Sequence, residues 1–228
     1  MRIIGLIFIL FSNILYAQTK SIKPKATYLE DQLYIGLTFI NLTHEPSGVN
    51  QNGFSNSLSL GFIKDIPLNS KGKFALGIGL GYGQNTYFQN IKISKVNKQT
   101  VFEKLNNNNF KKNKFKAYAF EIPLELRWRT STQYQHKFWR FYAGTKLSYA
   151  FFTKSKFKGE GTTLVVKGIP EFNNFQYGLT FAAGYGTWNF NLYYGLSDLF
   201  SNAKIVDETN SMPLSLRDFR VGLIFYAF

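Results

Sequence analysis

The chain contains no cysteine. Disulfides, thiolate metal sites and a cysteine nucleophile are therefore excluded, as is lipoprotein processing, which needs a cysteine after the export signal. Histidine is nearly absent: His44 and His136 are the whole supply, and neither belongs to a histidine–acid cluster that could hold a metal. Acids are few, with 13 Asp and Glu against 27 Lys and Arg, a formal charge of +14. After Gln18 no stretch of about 18 or more apolar residues follows, so no transmembrane helix is expected. No cofactor motif stands out either. "GIGLGYG" imitates a phosphate-binding glycine loop, but it lies within an alternating strand pattern rather than between a strand and a helix.

The 228 residues are enough for one domain. The first of them, "MRIIGLIFILFSNILYAQ", combine basic Arg2, an apolar run and small Ala17 before Gln18. These are the parts of a secretory signal peptide, expected over residues 1–17. The run is short for a membrane span and is interrupted by Ser12 and Asn13. A polar lead-in is expected over 18–30 and a single barrel domain over 31–228.

From residue 31 onward, apolar residues recur at every second position. Eight such runs can be read: Leu33 to Ile40, Ser57 to Phe62, Phe74 to Gly83, Phe120 to Arg129, Trp139 to Phe151, Phe175 to Ala182, Trp188 to Gly195, and Phe219 to Tyr226. Period-two patterning in an even number of runs near ten residues long is the strand signature of a membrane barrel. The connections support it independently. Those after the second, fourth and sixth runs are short ("PLNSKGK", "STQYQHK", "GYGT"). The others are long, spanning 43–53, 85–115, 155–174 and 197–215. Outer-membrane barrels pair short periplasmic turns with longer external loops, which puts both termini in the periplasm.

An eight-stranded soluble barrel would turn its apolar face inward and present a charged exterior. Here the polar face of the third run is four glycines and an alanine. That composition suits a narrow interior, where small residues stand opposite long ones, and not a solvated surface. In the fourth run, "FEIPLELRWR", Phe120, Ile122, Leu124, Leu126 and Trp128 are assigned to lipid, and Glu121, Glu125, Arg127 and Arg129 to the lumen. Trp128, Trp139 and Trp188 all flank short turns, where an aromatic girdle is expected. Pro123 lacks a backbone donor, so a bulge or bend is expected there. Buried charges must pair, so Glu121 and Glu125 should meet some of Arg127, Arg129, Arg140, Lys146 and Arg220 across the lumen. With eight strands the interior is only wide enough for side chains, which favours a plugged lumen over a gated path.

The signal peptide, the eight runs, the stretch Glu121-Ile122-Pro123-Leu124 and the aromatic ending "FRVGLIFYAF" together resemble the PorT-like outer-membrane β-barrel family of Bacteroidota. The resemblance implies an all-β, eight-stranded antiparallel transmembrane barrel resident in the bacterial outer membrane. A few members of that family are linked to a secretion system. The ending departs from the family pattern: if Phe228 faces lipid, the same register places Arg220 there too. Arg220 is kept inside, and the last three residues are left unassigned.

Most of the remaining positive charge falls in the long connections. The second carries Lys92, Lys95, Lys98, Lys104, Lys111, Lys112, Lys114 and Lys116, and the third Lys154, Lys156, Lys158 and Lys167. Lipopolysaccharide phosphates and other outer-membrane lipid, or an acidic envelope or secretion protein complex, are the partners such charge would meet. A solvated low-complexity loop is the bland alternative for "KLNNNNFKKNK". Nucleic acid is not expected, because the chain is exported and shows no recognition fold. The function expected is a non-enzymatic structural or accessory envelope barrel, with a small-solute porin and an outer-membrane lipid hydrolase as rivals. A hydrolase would need a base beside a nucleophile, and His44 near Glu45 and Ser47 is the one arrangement to offer it.

Overall fold

The computed structural model describes residues 31–97, 99–105, 110–130, 138–206 and 211–227. The expected signal segment and lead-in, Lys98, His136 and Phe228 lie outside the described residues. Thirteen strands and no helix occur among them: β1 (Gln32–Thr43), β2 (Asn56–Pro67), β3 (Phe74–Phe88), β4 (Ile91–Val96), β5 (Gln99–Lys104), β6 (Phe110–Arg129), β7 (Trp139–Gly159), β8 (Thr163–Lys167), β9 (Phe175–Tyr185), β10 (Trp188–Gly195), β11 (Lys204–Val206), β12 (Ser211–Pro213) and β13 (Arg217–Ala227). The eight alternating runs are β1, β2, β3, β6, β7, β9, β10 and β13. They pair in the order β6-β3-β2-β1-β13-β10-β9-β7, and a β6–β7 ladder closes the ring. Every barrel pairing is antiparallel. The expected all-β barrel is therefore formed.

Alternation decides the two faces. Leu33, Ile35, Leu37, Leu80, Phe120, Leu126, Phe175, Leu179 and Trp188 are all exposed on the outside, Leu80 by 64%. At the alternate positions of the barrel strands, Tyr34, Asp65, Glu121, Glu125, Arg127, Arg129, Arg140 and Arg220 are buried inside. The glycines of β3 show why both sets fit. A methyl group on Gly77 would stand 2.6 Å from Arg127 Cδ, and one on Gly83 would stand 2.5 Å from Glu121 Oε1. At Gly81 it would meet the Tyr34 hydroxyl. Missing side chains on one strand make room for long ones from its neighbours.

Two expectations need correction. Pro123 makes no bulge. The β6–β7 ladder runs through it, pairing Pro123 with Lys146. On the other side the β3–β6 register is the same before and after it, with only the rungs at Gly79 and Leu80 unpaired. The lost donor faces Gly79, where a Cβ would lie 2.8 Å from the proline ring. The strand thus forfeits pairing locally and needs no extra residue. The bulge lies instead where Tyr118 pairs Phe152 and Ala119 pairs Ala150, leaving Phe151 extra. As a result Phe151 and Phe152 both point outward, against Phe120 (4.7 Å between centroids) and Tyr118 (5.7 Å).

The long connections are also more ordered than loops. β3, β6 and β7 continue well past their alternating apolar runs, and among the described residues of the second, third and fourth connections lie strands β4, β5, β8, β11 and β12. Four of these build a second sheet, β12-β11-β5-β4, in which β5 and β11 pair in parallel through Ile205↔Phe102. A barrel strand needs about 9–11 residues to cross a bilayer. At about 3.4 Å per residue, the 20 residues of β6 reach roughly 65 Å. About half of β6 therefore stands beyond its apolar band.

Candidate functional site in the barrel lumen

At the short-turn end, one acid organises the interior. Asp65 lies on β2, and its carboxylate bridges the guanidiniums of Arg127 and Arg129 on β6. Both side chains cross the intervening β3 because Asp65, Gly77 and Glu125 share one row and Gly77 contributes no side chain. Arg127 also bonds Gln32 and lies 3.4 Å from Glu125. Its guanidinium covers the Tyr142 ring at 4.1 Å. Arg129 donates to the Gly72 carbonyl at 2.9 Å, tying the β2–β3 turn to the lumen wall. Neither Asp65 nor either guanidinium is exposed at all. Charge-assisted, two-sided pairing of this kind is what keeps such groups tolerable inside.

A second layer sits midway. Glu121 meets Lys146 at 3.0 Å and lies 3.8 Å from Arg220. Arg220 is held chiefly by Asp218, two residues earlier on the same face of β13, at 2.6 Å. It also donates to Asn85 Oδ1 at 3.0 Å and lies over the Tyr193 ring at 4.5 Å. The Tyr87 hydroxyl donates to Asp218 at 3.2 Å. Between the layers a cavity of about 30 Å³ remains, lined by Tyr34, Glu121, Glu125, Lys146 and Thr180 among others. That is room for a water or two, not a path.

The third layer, at the long-connection end, is apolar. Phe115, Phe172 and Phe200 pack mutually with centroids 5.1 to 5.6 Å apart. Tyr87 stacks on Phe115, and Phe102 meets Phe200 edge-on. Ile91, Ile93, Ile205 and Leu216, each at most 1% exposed, join the same cluster. The second sheet thus supplies a hydrophobic stopper for the mouth.

Glu121, Glu125, Arg127, Lys146 and Arg220 are brought together in the lumen. Arg129 is there too, but on an acid that sequence reasoning missed. Arg140 donates to the Gly186 carbonyl and covers Phe138 at 4.1 Å. Asp65 and Asp218 were overlooked because both lie at the ends of their apolar runs. Extending the alternation by three residues in β2 and back by one in β13 would have found them. Five cations (Arg127, Arg129, Arg140, Lys146, Arg220) and four acids (Asp65, Glu121, Glu125, Asp218) leave the lumen one positive charge over balance. The chain carries +14, so the surplus lies elsewhere.

Much of it lies toward the long-connection end, though on strands rather than loops. Lys92 and Lys95 are on β4, where Lys92 pairs Glu103 at 2.7 Å, and Lys104 is on β5. Lys111, Lys112, Lys114 and Lys116 belong to β6, and Lys154, Lys156 and Lys158 to β7. His44 is exposed, with φ of 59°, and contacts Thr43 Oγ1 at 3.3 Å. The Thr43 hydroxyl itself bonds the Arg217 carbonyl. Nearby Asp198 accepts from Arg217 (2.6 Å) and Ser215 (2.9 Å). Burial would raise the Asp198 carboxyl, but these two hydrogen bonds hold it below the usual range. Among the described residues no group of three or more His, Asp or Glu is placed to hold a metal.

Comparison with known proteins fits this architecture. The family model described as outer membrane protein beta-barrel domain matches residues 16–201. No curated protein matches the chain. Among solved structures the chain is similar to Ail, the attachment invasion locus protein of Yersinia pestis, at 12% identity and a TM-score of 0.31, over 86% of this chain and 99% of that one. So loose a likeness carries no argument; the strand closure does.

Proposed function

The chain belongs to the outer membrane protein beta-barrel domain family, and on that premise we propose that it is a non-enzymatic, non-conducting barrel, a structural or accessory component of the envelope. Its place is the bacterial outer membrane. The long-connection end faces outward and the short turns face the periplasm, as such barrels are built. The observation that carries the proposal is the filled lumen: two ion-paired layers and an aromatic stopper, with a void of about 30 Å³ between polar walls.

A porin of eight strands would need its interior side chains withdrawn, and here they are bonded to one another. The hydrolase reading is disfavoured by the polar groups around His44. Asp198 is committed to Arg217 and Ser215, and Thr43 to a backbone carbonyl. The basic outer end is suited to an anionic partner, lipopolysaccharide or an acidic envelope or secretion protein. The resemblance to PorT-like barrels favours an accessory role beside such a complex, which cross-linking in intact outer membranes would identify. The decisive experiment is single-channel recording of the purified chain in planar bilayers. No conductance steps are expected, and a steady current through one chain would overturn the proposal.

A further inference from the structure

The strand extensions bring six lysines of the outer wall into register. On β6 and β7, Lys116 pairs Lys154, Lys114 pairs Lys156 and Lys112 pairs Lys158. Directly paired residues share a face, and the alternation places this face outward: Asn113, Phe115, Thr153 and Ser155 between them are buried within. β8 adds a third column, with Lys167 beside Lys154. Like charges directly opposite one another destabilise a sheet. Three successive rungs of them, with no Asp or Glu anywhere in 110–118, 152–159 or 163–167, form an arrangement that folding alone does not favour. Burial and the neighbouring lysines 112, 116, 156 and 154 together lower the Lys114 ammonium below its ordinary range.

What lies beneath the lysines identifies the counter-charge. The next rung down is Tyr118 with Phe152, and below it Phe120 packs against the bulged Phe151; Phe120, Phe151 and Phe152 are exposed on the apolar band. Lys116 Nζ stands 6.0 Å from the Tyr118 ring. Aromatic residues of this kind mark the boundary between hydrocarbon and head groups. One rung is about 7 Å, so the lowest lysines stand at head-group height. Cross-strand neighbours are about 5 Å apart, giving a grid of cations on a wall that continues into lipid.

We propose that the outer wall of β6, β7 and β8 is a binding site for the phosphorylated head group of an outer-leaflet glycolipid, its acyl chains lying on the aromatic rungs below and its phosphates among the paired lysines. This rests on the outward orientation given under Proposed function and deepens that reading by naming the anionic partner and its seat.

The test uses the full chain, refolded in zwitterionic detergent and titrated with bisphosphorylated lipid A, with adducts counted by native mass spectrometry. Each lysine removed should weaken binding roughly fivefold, so the combined variant K114Q/K116Q/K154Q/K156Q should lose about a hundredfold or more. The pair K64Q/K71Q, at the short-turn end, should bind as the unaltered chain does, and dephosphorylated lipid A should bind weakly to all. A second reading covers folding. Without lipid the four-glutamine variant should resist urea better than the unaltered chain, since repulsion is relieved. With bisphosphorylated lipid A the order should reverse. Equal lipid binding by the four-glutamine variant, equal loss in K64Q/K71Q, or tighter binding of soluble dextran sulfate than of lipid A would each overturn the site. Current through the barrel would overturn the sealed lumen and leave this result standing.

Discussion

Replacing Asp65 by Asn removes one negative charge from a site where no solvent can take its place. Both carboxylate oxygens are engaged, one by Arg127 and one by Arg129, and the three side chains are fully buried. Breaking a buried pair by deleting one partner typically costs about 3–5 kcal/mol, because the surviving charge keeps its desolvation penalty. Two guanidiniums are affected here. Arg127 keeps Glu125 at 3.4 Å and Arg129 keeps the Gly72 carbonyl at 2.9 Å, which moderates the loss, so about 3–5 kcal/mol remains the expected range. The assay is equilibrium urea unfolding in phospholipid vesicles followed by tryptophan fluorescence. Trp128 lies between the two arginines on the outer face, so its emission reports on this end of the barrel. The midpoint should fall while the denaturant slope stays the same. Combining Asp65→Asn with Arg129→Met should recover part of the loss, since an acid and a base removed together leave less uncompensated charge. The reasoning is refuted if Asp65→Asn unfolds at the midpoint of the unaltered chain, or if the double variant loses the full sum of the two singles.

Gly81→Ala should destabilise the barrel by about 1–3 kcal/mol, because its methyl group would meet the Tyr34 hydroxyl. That hydroxyl has no hydrogen-bond partner, so Tyr34→Phe alone should be near neutral and should relieve part of the Gly81→Ala loss in the same unfolding assay, the remainder coming from the Leu60 carbonyl 2.8 Å from the added methyl. At the long-connection end, the Asp198 carboxyl is held below its ordinary range, so its stabilisation is present above the unfolded value and is lost as pH falls through the folded one. The Asp198–Arg217 pair is about a third exposed, so Asp198→Asn should cost under about 1 kcal/mol at neutral pH. Hydrogen-exchange protection in β12 and the start of β13 should fall in that variant, and the further loss of protection expected of the unaltered chain in acid should be absent from it.

How much of this was legible beforehand differs residue by residue. Phe120, Ile122, Leu126 and Trp128 could be sent outward and Glu121, Arg127 and Arg129 inward from letters alone, because side-chain alternation is a property of each strand by itself. Lys114 and Lys156 could be counted as charges but not seen to face each other. Their pairing depends on the stagger between β6 and β7, and on an extra residue at Phe151 that shifts it. Pro123 signalled a disturbance, but whether it becomes a bulge or a pair of missing rungs depends on what lies opposite, and Gly79 lies there.

The sequence by itself determined the number of barrel strands, the face each presents to lipid, and which end carries the short turns. These follow from period-two patterning and connection length, both local. Only the tertiary structure decided that Asp65 serves two arginines, that Asp218 holds Arg220, that the long connections fold into an apolar stopper, and that the outer lysines stand in facing rows. Each of those depends on register between strands distant in the chain, where a slip of one residue would exchange every inward group for its outward neighbour.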